Sequence, residues 1–124
     1  MACILCIDDN RDVLGYLRGV FQASGYRTLT ALSGNQGILL SLQNLVDLIV
    51  LDYEMPGMNG DLVAQAIRRY RPELPIIFFT GIPDDIPDSA RQNVNGVVSK
   101  TDLSGLLAVV GKLVKKPPGK KEVT

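Results

Sequence analysis

Histidine is absent from the 124 residues. That removes Ser–His and Cys–His nucleophile pairs, imidazole general bases and His-ligated metal sites. Neither charge is in excess: 13 Lys+Arg face 13 Asp+Glu, so electrostatics gives no reason to expect nucleic acid as a partner. No apolar run approaches the roughly 20 residues that span a bilayer, and the run Ala2–Ile7 ends at Asp8 and Asp9 without a basic leader, unlike a signal peptide. Cysteine is scarce. Two residues cannot build a secreted disulfide scaffold, so the chain is expected in the cytoplasm, off the membrane. Cys3 and Cys6 lie three apart in an apolar strand-like run, which points their side chains to opposite faces and argues for core thiols rather than a redox or zinc pair.

What is present suits one ordinary domain: 46% apolar and 21% charged residues, with length enough for a core that needs no covalent staple. Short apolar runs alternate with segments of helical period. Strands are expected at Cys3–Ile7, Tyr26–Thr30, Leu48–Leu51, Ile76–Phe79 and Val97–Ser99. Between them, Val13, Leu14, Leu17, Val20 and Phe21 mark one helix, stopped at Gly25. Ile38, Leu39, Leu42 and Leu45 mark a second, weakened at its start by Gly34 and Gly37. Leu62, Val63, Ala66, Ile67 and Tyr70 form the stripe of a third, capped by Asn59 and ended by Pro72. Pro83 and Pro87 leave room for only a short fourth helix, about Pro87 to Asn93. Thr101 can cap the fifth, striped by Leu103, Leu106, Leu107, Val110, Leu113 and Val114. Five strands alternating with five helices predict an α/β fold, a doubly wound parallel sheet. Residues 1–114 form this domain; residues 115–124 read as a basic tail or linker start, and without them nine basic residues face twelve acidic ones.

In such sheets the working site lies beyond the carboxyl ends of the strands. Asp8 and Asp9 follow the first strand, Asp52 the third, Thr80 the fourth and Lys100 the fifth. Any one of these has a dull explanation as a cap or loop residue; five at the ends of four strands do not. Three carboxylates gathered together repel unless a cation joins them, and an all-oxygen set suits Mg²⁺. Three aspartates, one Mg²⁺ and the Lys100 ammonium sum to zero charge, a balance that can accept a phosphoryl group. Asp52 is the natural nucleophile, since carboxylates form aspartyl phosphates. No glycine loop of the nucleotide-binding kind is present.

These residues, from about Cys3 to Val114, resemble the receiver domains of two-component response regulators. The acidic pair Asp8-Asp9, the stretch Leu51-Asp52-Tyr53-Glu54-Met55-Pro56-Gly57-Met58-Asn59-Gly60, Thr80 and Lys100 carry the likeness. The resemblance implies a flavodoxin-like sheet of order 2-1-3-4-5, with Asp52 phosphorylated. It implies Mg²⁺ held by Asp9, Asp52 and the backbone carbonyl of Glu54, with Asp8 acting largely through water. Thr80 and Lys100 would bind the phosphoryl oxygens. A histidine kinase or histidine phosphotransfer protein would be the donor, and an output domain or target protein the recipient of the signal. Such a domain promotes its own phosphorylation and dephosphorylation without being a turnover enzyme. Three departures stand out. Thr101 replaces the proline usual after the lysine, so a trans bond is expected there. Val97 replaces the usual switch aromatic. The fourth helix is broken by prolines, which shifts any readout to the segment from Thr80 to Asp88.

Two other functions compete. A pseudo-receiver, a docking module indifferent to phosphorylation, is favoured by the missing aromatic and proline and opposed by the five polar residues. A Mg²⁺-dependent phosphohydrolase of the haloacid dehalogenase type would want a second Asp two residues after the nucleophile, where Glu54 stands.

Overall fold

The computed structural model describes residues 1–114; the basic tail set apart above lies outside the described residues. Continuous apolar runs become buried strands, because a strand covered on both faces has no polar side to show. The order along the chain is β1 (Cys3–Ile7), α1 (Arg11–Ala23), β2 (Arg27–Ala31), α2 (Gly34–Gln43), β3 (Leu48–Leu51), α3 (Gly60–Tyr70), β4 (Ile76–Thr80), a 3₁₀ turn (Pro83–Asp85), α4 (Asp88–Arg91), β5 (Gly96–Ser99) and α5 (Leu103–Leu113). The strands pair in parallel, as their alternation with helices predicts, and in the order β2-β1-β3-β4-β5 that the resemblance implies.

Alternation along the strands divides the core in two. Cys3, Leu5 and Ile7 join Ile49, Leu51 and Phe78 beneath Val63, Ala64 and Ile67 of α3. Ile4 and Cys6 join Val50, Ile77 and Phe79 beneath Leu14, Leu17 and Phe21 of α1 and Leu106 and Val110 of α5. The two cysteines thus occupy different halves of the core, and burial pushes the Cys6 thiol far above its ordinary range. Each buried Leu, Ile or Phe contributes roughly 1.5–3 kcal/mol of transfer free energy.

Helix ends follow their capping residues. The Asn10 side chain accepts the amides of Asp12 and Val13, and that of Asn59 accepts the amide of Leu62. Gly25, at φ +91°, turns the chain out of α1. The fifth helix differs from expectation: Asp102, not Thr101, is its cap, with a carboxylate oxygen 2.9 Å from the Gly105 amide. A carboxylate at the cap also faces the positive end of the helix dipole, an advantage no threonine has.

The second helix departs further. Of its predicted stripe Ile38 packs against the core, but Leu39, Leu42 and, past the helix end, Leu45 are 51%, 49% and 83% exposed. The buried face is Gly34, Gly37 and Ser41. A Cβ at Gly34 would stand 2.6 Å from Val63, and one at Gly37 would overlap the Ile7 side chain. The glycines that weaken the helix let it lie close on the sheet and α3. Likewise Leu62 and Tyr70 of α3 face outward, and Ala64 takes their place in the core.

At the amino ends of the strands, arginines tie segments together through main-chain carbonyls. Arg68 donates to the carbonyls of Asn93, Pro72 and Leu74 and to the Asn95 side chain. Arg71 donates to the carbonyls of Ser41 and Val46.

Candidate functional site

Register builds the site. Ile7 of β1 pairs with Leu51 of β3, so the next residues, Asp8 and Asp52, leave adjacent strands side by side at the sheet's carboxyl edge. Main-chain bonds continue past the strands and hold both: the Asp8 amide donates to Ala31 and the Asp52 amide to Ile7. Asp8 and Asp52 are 3% and 5% exposed, whereas Asp9 is exposed. Carboxylate oxygens of all three lie within 4.8 Å of one another.

Lys100, just past β5, reaches across the edge. Its Nζ stands 3.0 Å from Asp8 Oδ2 and 3.4 Å from Asp52 Oδ1. Its backbone is trans, as are all the described peptide bonds, so Thr101 is accommodated without the strained isomer. The Asn10 amide donates to Asp8 Oδ1 at 2.9 Å, and the Glu54 amide approaches Asp52 Oδ1 at 3.4 Å.

Lys100 and Arg11 face Asp8, Asp9, Asp12, Asp52 and Glu54 around the cleft, which leaves it short of positive charge. Burial, then the neighbouring Asp8 carboxylate, pushes Asp52 up to about 6, against the opposing pull of Lys100 and the Glu54 amide. Lys100 is held above its ordinary value: burial opposes this, but the hydrogen bond to Asp8 and the charge of Asp52 outweigh it. The carboxylates are crowded enough to gain from a divalent cation, and hard oxygen donors suit Mg²⁺. An open cleft of about 760 Å³ gives access, lined by Asp8, Asp9, Asn10, Arg11, Asp12, Asp52, Glu54, Gly81 and Lys100.

Thr80 stands apart from this group. It ends β4 at the same edge, but it is fully buried and its Oγ1 accepts the Ile82 amide at 3.1 Å. Its hydroxyl does not line the cleft. Val97, three residues before Lys100, packs against the α3-side core with Tyr53 and Met58.

The model of the response regulator receiver domain family matches residues 4–110. The chain belongs to that family. Among solved structures, the receiver is similar to response regulator protein TrrA from Thermotoga maritima in complex with Mg²⁺–BeF. The TM-score is 0.86 at 31% identity, covering 91% of this chain and 99% of TrrA. It matches equally, with TM-score 0.86 and 30% identity over 93% of this chain, a structure of histidine kinase ThkA in complex with TrrA. Response regulator SaeR of Staphylococcus aureus is 34% identical over 80 residues, 64% of this chain and 35% of SaeR. The receiver thus spans about a third of the length of the curated relatives it matches. No helix among the described residues is long and apolar enough to cross a membrane.

Sequence reasoning on the receiver missed several cleft residues. Asn10 serves twice, capping α1 with its side chain and bonding Asp8 with its amide; its place after an acidic pair and before a helical stripe was the available signal. Arg11 and Gly81 carry no signal of their own. Gly60, the end of the stretch that carries the family likeness, lies beneath the cleft rather than on it: a Cβ there would stand 2.6 Å from the Asp52 carbonyl oxygen and 2.7 Å from Tyr53 Cα, so α3 can start directly under the Asp52 loop only with glycine.

Proposed function

We propose that the domain accepts a phosphoryl group on Asp52 and passes the change on through altered partner contacts. The observation that carries this is the Lys100 ammonium lying between Asp8 and Asp52, beside the exposed Asp9. Asp8, Asp9, Asp52 and the Glu54 backbone carbonyl would hold Mg²⁺. When bound, the ion neutralises charge on the phosphoryl oxygens.

A carboxylate oxygen of Asp52 attacks the phosphorus of a phosphohistidine. The P–N bond breaks, its electron pair returns to the imidazole nitrogen, and that nitrogen takes a proton. The donor is a histidine kinase or a histidine phosphotransfer protein, for this chain has no histidine to carry the group. Lys100 is already within reach of Asp52 and turns from carboxylate to phosphoryl oxygen. Thr80 keeps its own proton while it accepts the Ile82 amide, but its buried hydroxyl must swing toward the cleft to donate that proton to a phosphoryl oxygen, and the swing gives up the amide. That release moves the segment after β4, where the 3₁₀ turn and α4 sit, and biases a two-state equilibrium without a switch aromatic. Hydrolysis of the acyl phosphate returns Asp52 to its carboxylate. The domain is consumed and restored once per signal, and it is not a turnover enzyme. Its proposed setting is the cytoplasm, and whatever effector or output domain it controls reads the same segment. The pseudo-receiver alternative gains no support, since every acid and the lysine stand at one edge.

Intact mass spectrometry after incubation with acetyl phosphate tests this. One phosphoryl group should be gained with Mg²⁺, and none with EDTA or in Asp52→Asn. Failure of the unmodified chain to gain mass, or an undiminished gain in Asp52→Asn, overturns the proposal.

A further inference from the structure

A second cavity, of about 220 Å³, lies on the other side of α1, between that helix and β2. Arg11, Gly15 and Arg18 line it from α1, at the i, i+4 and i+7 positions that share one helix face. Thr30 and Leu32 line it from the far side, and the buried Leu14 closes the floor. Nothing stands within 4 Å of where a Gly15 Cβ would be, so the space between the two arginines stays open.

Among the described residues neither Arg11 nor Arg18 forms an ion pair with a carboxylate, although Arg11 also borders the acidic cleft. Arg18 uses one of its five donors, on Thr30 Oγ1 at 2.9 Å. Because that hydroxyl oxygen accepts from Arg18, its own proton is available to a further acceptor. Two arginines and a hydroxyl line one cavity, and a guanidinium can take a phosphate group in bidentate fashion. The apolar flank of Leu14 and Leu32 suits a short carbon chain attached to it.

We propose that the groove between α1 and β2 binds a small phosphomonoester, its phosphate held by Arg11, Arg18 and Thr30. Arg11 also lines the acidic cleft, so a bound ligand holds its guanidinium on the β2 side and away from Asp9. The site does not depend on phosphorylation of Asp52, and it is testable without metal.

The experiment is a titration of the full chain with glycerol 3-phosphate in EDTA at low ionic strength, followed by amide chemical shifts. Saturable shifts are expected at Gly15, Thr30 and Leu32. Arg11→Gln or Arg18→Gln should each weaken binding about tenfold, and the double variant should abolish it with the remaining spectrum unchanged. Glycerol should produce no shift, and inorganic phosphate should bind more weakly than the ester. Equal affinity for inorganic phosphate overturns the assignment to a phosphomonoester. Absence of saturation, or shifts that survive in the double variant, overturn the site itself.

Discussion

Replacing Asp52 with asparagine should make the metal-free protein more stable, although it removes an ion pair. In the fold the carboxyl titrates near 6, against 3.8 as its ordinary value. Below pH 3.8 the folded and unfolded chains both carry the proton, and the group contributes no difference. Between the two values only the folded chain keeps it. Above 6 both have lost it, and the fold bears the full cost of a carboxylate buried beside Asp8, about 3 kcal/mol for a shift of this size. Asparagine keeps the shape without the charge. The pull of Lys100, 3.4 Å away, is already contained in that shift, and the asparagine amide loses only its own fit to the site. The net gain at pH 7.5 is therefore about 1–3 kcal/mol, a rise in Tm of roughly 4–10 °C for a domain of this size. Circular dichroism melts in EDTA at pH 7.5 and pH 4 measure it. The increment should be present at the first pH and largely gone at the second. An Asp52→Asn protein no more stable at pH 7.5, or equally stabilised at both, would falsify the crowding argument.

Lys100→Met should have the opposite effect, lowering stability by about 1–3 kcal/mol at neutral pH, because two buried carboxylates lose their shared cation; urea titration at pH 7.5 and 4 should show the larger loss at the higher pH, where Asp52 is charged. Saturating Mg²⁺ should raise the stability of the unmodified chain, by about 2.7 kcal/mol at a hundredfold excess over Kd. Asp9→Asn should need several times more ion for the same shift in Tm, and an identical titration curve would remove Asp9 from the metal site. Gly60→Ala should cost about 1–3 kcal/mol, since the new methyl group meets the backbone of Asp52 and Tyr53 rather than a yielding side chain; an unchanged urea midpoint would refute that. Leu42→Gln with Leu45→Gln should leave the midpoint within about 0.5 kcal/mol, because both leucines face outward.

The strands were legible because burial on both faces writes a continuous apolar run, and the acids were legible because each such run ends in one. Composition and order alone therefore place Asp8, Asp52 and Lys100 at one edge. The second helix was legible as a helix but not in its orientation. Leu39 and Leu42 keep helical spacing yet face outward, while Ile38 and Leu40 flank a buried face of two glycines and a serine, which carry no hydropathic signal. The cap of α5 was misplaced by one residue because Thr101 and Asp102 are both good caps, and only the turn geometry after Lys100 chooses between them. Thr80 falls at the expected edge, but whether its hydroxyl faces the cleft or the Ile82 amide is a rotamer, and no sequence pattern encodes one.

Arg68 and Arg71 rivet the molecule at the pole opposite the acids. Five carbonyls, of Ser41, Val46, Pro72, Leu74 and Asn93, converge on two guanidiniums there, whereas at the acids' end the arginine-to-carbonyl ties among the described residues are those of Arg91 to Pro83 and Ile86, within the segment that follows β4. Compliance is thereby polarised along the strands: one end is clamped between elements, while at the other Arg91 holds residues 83–86 only to itself and leaves that segment able to move as a unit. Amide protons near the rivets should exchange slowly with solvent whatever happens at Asp52, and movement should be confined to the end that carries the chemistry.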